Sequence, residues 1–143
     1  MQALFIGFAD ENLENVILSL IEPPVPAGAP GPPESYREIR IDIGKLILKH
    51  PAASFLWRAR GDSMIGAGIH SGDYLLVDRA VPAAPGWVVV ATVNGENTVK
   101  RISPDKNKPQ LLPENPNYSP ITIDDEAGIK VFGVVTWVLH PLT

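Results

Sequence analysis

Trp87-Val88-Val89-Val90-Ala91-Thr92-Val93, then Asn94-Gly95, then Glu96-Asn97-Thr98-Val99-Lys100-Arg101-Ile102, reads as a β-hairpin. The first run is rich in β-branched residues, and Asn-Gly is the dipeptide that most readily closes a two-residue hairpin loop, because both of its positions need positive φ. Such a loop sets Val93 opposite Glu96. Counting back along both strands then sets Lys100 opposite Val89 and Arg101 opposite Val88, with Trp87 and Ala91 on the face shared by Lys100. The count alone leaves open which of the two cations points inward.

Working outward from the hairpin, further strand-like runs fall at 36–43, 55–59, 74–81, 110–112, 121–123 and 130–139, and residues 45–49 suit a brief helical turn. Turn residues recur between these runs and no long helical period separates them, so antiparallel sheets are expected rather than alternating βαβ units. Both alternating sets in 130–139 are largely apolar, which predicts a central strand or an interface strand. With 15 prolines and 12 glycines in 143 residues, the composition also favours a turn-rich, mainly β protein of one core domain.

Upstream, Gly61-Asp62-Ser63-Met64 precedes Gly66, Gly68 and Gly72, a spacing that leaves room for only one short helical turn. A serine entering such a turn is presented beside free backbone amides. Serine needs a base to attack a carbonyl, and a lysine amine serves when it is uncharged. Near neutral pH that requires a shift of about three units from the usual value of about 10.4, or about 4 kcal/mol, which burial among apolar neighbours supplies. Lys100, with apolar cross-strand neighbours, is the candidate, since arginine effectively never loses its proton. The backbone amides of Asp62 and Ser63 are candidates for holding an oxyanion.

The segments Gly61–Met64, Ser71–Asp78, Val93–Lys100, Asn117–Ile123 and Val131–Val135 together resemble the UmuD-like branch of the LexA-like self-cleaving Ser-Lys peptidases. The resemblance runs from about Tyr36 to the C-terminus. It implies a catalytic domain of twisted, mostly antiparallel sheets over 36–143, Ser63 as nucleophile, Lys100 as general base, and a cleavable N-terminal arm over 1–35. It further implies a homodimer, cleavage stimulated by a RecA-type recombinase filament on single-stranded DNA, and a trimmed product that joins a Y-family translesion polymerase in the SOS response. A sliding clamp is a further candidate partner.

The arm contains six prolines between Pro23 and Pro33, interspersed with Ala27, Gly28, Ala29 and Gly31, so it is expected to be extended or irregular. Anchored on Tyr36, the resemblance places the cleaved bond at Ala27-Gly28. The small side chains suit a close-approaching nucleophile, although the family pattern has cysteine before the glycine and an aromatic after it, where this chain has Ala27 and Ala29. Before the prolines, Asp10 can cap a short helix with Leu13, Val16, Ile17, Leu20 and Ile21 on one face. Such a helix needs a surface to rest on, which makes the arm a candidate regulated element.

Other chemistries fit less well. The chain has no cysteine, which removes disulfides and thiolate metal sites and fits a reducing cytoplasm. Histidine occurs only at 50, 70 and 140, without ligand-pair spacing, so neither a metal nor another cofactor is expected. The Gly61–Ile65 segment departs from the Gly-x-Ser-x-Gly elbow that a triad using His70 would need. A net charge of −4 disfavours direct binding to nucleic acid. No run approaches the roughly 18 apolar residues that span a bilayer, so a soluble, unexported protein without a membrane anchor is expected. Leader peptidases need such an anchor, and DNA-binding repressors need a helix-turn-helix domain that about 35 residues cannot hold. The contrasting reading is a non-catalytic interaction module that keeps this fold and regulates a polymerase or clamp by binding alone.

Overall fold

The computed structural model describes residues 1–9, 15–22, 37–124 and 128–143. It divides into two compact units, one formed by Met1–Glu11 with His50–Thr143 and the other by Asn12–Lys49.

The larger unit is built on an eight-stranded sheet in the order β1-β4-β5-β10-β6-β7-β8-β9. Its strands are β1 (Gln2–Phe8), β4 (Ser54–Arg60), β5 (Tyr74–Asp78), β6 (Val88–Val93), β7 (Glu96–Ile102), β8 (Gln110–Leu112), β9 (Ile121–Thr122) and β10 (Lys130–Leu139). All the pairings are antiparallel, as short hairpin-type connections allow. The sheet curls on itself, because Gln2 of β1 pairs with both Arg60 of β4 and Thr98 of β7. This closure removes the open edges of both neighbours at that point.

The hairpin has the expected register. Val93 faces Glu96, Lys100 faces Val89 and Arg101 faces Val88, around a turn in which Asn94 and Gly95 adopt φ of 50° and 82°. β10 is central in the strand order, between β5 and β6, while Val131, Trp137 and Leu139 on one of its faces remain exposed. Its register shifts between Val131 and Gly133, and again between Val135 and Trp137. Gly133 is needed there, since a Cβ at that position would stand 2.8 Å from Val77 Cγ1. Two buried clusters fill the unit, one around Trp57, Met64, Ile69, Leu75, Val77 and Val99, the other around Val89, Ala91, Leu111 and Val134. Phe55, Trp57 and Phe132 meet edge-on with centroids 4.9 to 5.1 Å apart.

The smaller unit holds β2 (Ile17–Glu22), paired antiparallel along its full length with β3 (Arg37–Asp42), and a short helix α1 (Ile43–Ile47) capped by Asp42. The helix expected from Asp10 to Ile21 is therefore corrected over its second half, which is strand. Ile17, Leu18, Leu20 and Ile21 satisfy a helical stripe but make both faces of a strand apolar as well. Pairing with β3 runs in unbroken register from Ile17 opposite Asp42 to Glu22 opposite Arg37, and bonds the backbone of alternate residues. Asp10 to Glu14 lie outside the described residues, as do Ala27, Gly28 and Tyr36. Strand β1 is an addition to the expected elements. Its run Ala3-Leu4-Phe5-Ile6-Gly7-Phe8 is continuously apolar, with no alternation to mark it as a strand.

Candidate active site

Strand β4 ends at Arg60, and the chain reverses through Gly61 at φ 103°, a left-handed conformation that glycine adopts without a Cβ penalty. Asp62 and Ser63 follow, then a single 3₁₀ turn, Ile65–Ala67, closed by Gly68 at φ 78°. The turn is clamped from outside by the segment after β8. Ser63 carbonyl accepts from Glu114 N–H at 2.8 Å, Gly66 N–H donates to Glu114 carbonyl at 2.8 Å, and Asn115 Nδ2 donates to Asp62 carbonyl at 3.0 Å. Tyr118 hydroxyl donates to the Asp62 carboxylate. Arg101 holds the clamp in turn, through Nε to Glu114 Oε1 at 2.5 Å and Nη1 to Gly86 carbonyl at 2.6 Å.

The hairpin brings the second group. Lys100 is 5% exposed, beside fully buried Val89 and Val99, and its Nζ lies 2.9 Å from the Oγ of fully buried Ser63. It also donates to Val99 carbonyl at 3.1 Å and Thr98 Oγ1 at 3.3 Å. Burial lowers the lysine pKa from its ordinary value of 10.5, opposed by its hydrogen bond with the N-terminal amine. Of the two cations left open by the strand count, Lys100 turns toward the serine and Arg101 toward the clamp.

A third polar group meets the same hydroxyl. The α-amino nitrogen of Met1 stands 2.5 Å from Ser63 Oγ, and its pKa falls from 8.0 to about 5 through burial, its hydrogen bond with Lys100 and that residue's charge. Two amines thus share one serine, an arrangement that disfavours charging both. Among the described residues, the N–H groups of Asp62 and Ser63 meet no protein acceptor. Next to Lys100 opens a cleft of about 280 Å³ lined by Val93, Glu96, Thr98, Tyr118, Ser119 and Ile121.

Met1, Glu114, Asn115 and Tyr118 carry no motif of their own and were beyond sequence reasoning, although Tyr118 belongs to the Asn117–Ile123 segment. Elsewhere, His70, Asp73 and His140 gather their ligand-type atoms within 4.8 Å of one another, though no spacing in the chain announces it. Buried Asp73 accepts from His70 N–H at 2.7 Å and pairs with His140 Nδ1. Among the described residues, no helix is long and apolar enough to cross a membrane.

The Peptidase S24-like family model matches residues 19–136. Protein SamA of Salmonella typhimurium is 44% identical over 115 residues, covering 80% of this chain and 79% of that protein. Protein ImpA of Salmonella typhimurium is 41% identical over 120 residues, covering 80% and 77%. The LexA repressor of Acidithiobacillus ferrooxidans is 42% identical over 119 residues, covering 81% of this chain and 58% of the repressor. The chain belongs to the Peptidase S24-like family, as a UmuD-like member.

Proposed function

We propose that the chain is a serine endopeptidase that cuts its own Ala27-Gly28 bond with a Ser63-Lys100 dyad. The observation that carries this reading is the 2.9 Å contact between Lys100 Nζ and Ser63 Oγ, both buried. Burial favours the uncharged amine that a general base requires.

In this mechanism neutral Lys100 accepts the Ser63 proton as Oγ attacks the carbonyl carbon of Ala27. The tetrahedral oxyanion is held by the N–H groups around Asp62 and Ser63, a stabilisation of about 3 to 4 kcal/mol per donor in comparable sites. Lys100 then passes the proton to the nitrogen of Gly28, and the C–N bond breaks to leave an ester between Ser63 and Ala27. Water, deprotonated by Lys100, attacks the ester, releasing residues 1–27 with a new carboxylate and restoring the Ser63 hydroxyl. Residues 28–143 remain as the trimmed protein.

By family resemblance, the trimmed protein acts as a homodimeric accessory subunit of an error-prone, Y-family translesion polymerase in the SOS response. Binding to a RecA-type filament stimulates the cut in the cytoplasm, and a sliding clamp is a further partner. The similarity to SamA, ImpA and the LexA repressor supports this setting.

Incubation of the purified chain at pH ~10, where the lowered pKa of Lys100 leaves its amine more fully uncharged than at neutrality, tests the chemistry without any activator. Mass spectrometry should find a break after Ala27, absent in Ser63→Ala and Lys100→Ala. A chain that stays whole at alkaline pH and with a recombinase filament overturns the peptidase reading and leaves the interaction-module reading in its place.

A further inference from the structure

Strand β1 lies where a peptide would lie. Met1 carbonyl accepts from Val99 N–H at 3.0 Å and from Thr98 Oγ1 at 2.8 Å, while Gln2 is paired on one side with Arg60 and on the other with Thr98. Ala3 enters the main core at 4% exposure. Met1 Cα passes within 3.6 Å of the point where a side chain at Gly61 would begin, so the glycine leaves room for this passage as well as for the turn. The polarity is informative. Nitrogen stands at the nucleophile and the chain runs away from it toward its C-terminal end, which is the direction taken by the part of a substrate that follows the cut bond. The Met1 nitrogen, 2.5 Å from Ser63 Oγ, occupies the place of the leaving nitrogen.

We propose that the channel between β4 and β7 is a peptide-binding site for the leaving-group side of an extended chain, and that β1 is its displaceable occupant, keeping any peptide to be cut away from Ser63. The ligand class is an extended peptide whose third residue is compact enough for the place where Ala3 is buried, a residue that after an Ala27-Gly28 cut is Pro30. Recognition is chiefly by main chain, as in strand addition, with one buried side-chain position setting selectivity. A substrate must therefore expel the first residues of β1 before its scissile carbonyl can reach the serine. The register shift between Phe5 and Gly7 marks where the strand can part without unzipping its far end from β4.

This inference rests on the peptidase reading, and its test separates the two. Leu4 and Arg58 are cross-strand partners away from the dyad, and the chain has no cysteine, so Leu4→Cys with Arg58→Cys gives a reversible lock between β1 and β4. The oxidised form should cut itself at least tenfold more slowly at alkaline pH than the same protein after reduction. In a second arm, Ala3→Glu in the full chain should loosen β1. A peptide of residues 1–9, labelled at its C-terminus, should then bind this variant, read by fluorescence anisotropy, and not the oxidised lock. The same peptide carrying Ala3→Glu should bind at least tenfold more weakly. Circular dichroism establishes that each variant is folded. Equal cutting by locked and reduced forms overturns the inference, as does failure of the peptide to distinguish the folded Ala3→Glu variant from the lock. Selective peptide binding with no cutting by any form overturns the peptidase reading and leaves the binding site standing.

Discussion

Ser63 and Glu114 are bound backbone to backbone, the Glu114 N–H donating to the Ser63 carbonyl at 2.8 Å while the Glu114 carbonyl accepts from Gly66. The turn that carries Ser63 is thereby held at two points three residues apart. A Cβ at position 66 would stand 2.7 Å from the Glu114 oxygen, closer than a real contact tolerates. Gly66→Ala should cost about 1–3 kcal/mol of stability, as overpacking does, and slow self-cleavage by tenfold or more. Urea unfolding and a cleavage time course on the folded variant check the two parts.

Replacing Lys100 without removing its bulk separates charge from packing. Lys100→Arg keeps a cation and cannot supply a lone pair. Self-cleavage should rise about tenfold per pH unit in the parent until the lysine is neutral, and should be at least a hundredfold lower in the variant at every pH. A gel series from neutral to alkaline pH reads this.

Stability should depend on the same proton. The folded-state pKa of Lys100 is lowered from 10.5, so between the folded value and 10.5 the unfolded chain binds more protons than the folded one. Stability must therefore rise with pH through that window, and the cost of burying the charged amine is at its full value below it. Lys100→Met should flatten this rise and gain stability relative to the parent at pH ~7. Urea midpoints of the two proteins across the alkaline range provide the comparison. A parent curve no steeper than that of the variant contradicts the lowered pKa.

Tyr118 donates to the Asp62 carboxylate, and this hydrogen bond, with the carboxylate's charge, raises the phenol pKa above 10.0. The absorbance titration of the parent minus that of Tyr118→Phe should therefore have its midpoint above 10.0. Asp62→Asn should move that midpoint down. Because the side chain is exposed, Tyr118→Phe should leave stability nearly unchanged, while loosening of the Asp62 clamp should slow cutting severalfold.

At the far end of the hairpin, Gly95 adopts φ 82° with open space around it. Gly95→Ala should lose about 1 kcal/mol through backbone strain alone. Cutting per folded molecule should be unchanged, as judged by normalising the rate to the folded fraction.

The hairpin from Val88 to Ile102, its register and its turn were legible because all three depend on neighbours in sequence. Two-residue loops need Asn-Gly chemistry, and period-two pairing follows from the loop. The Gly61 reversal and the single short turn after Ser63 were legible for the same reason, since positive φ and glycine spacing are local demands. For β10, apolar on both faces, composition offered a central or an interface place, and the strand order sets it between β5 and β6. The segment 17–22 was not, because its apolar residues satisfy two periods and only a partner strand from residues 37–42 chooses between them. Nor could the strand count choose Lys100 over Arg101 for the inward position; proton chemistry pointed to Lys100, and in the fold the Arg101 guanidinium is taken up by Glu114. The occupation of the serine by Met1 is wholly tertiary. It depends on a channel whose two walls lie about forty residues apart in the chain and exist only once the sheet has closed.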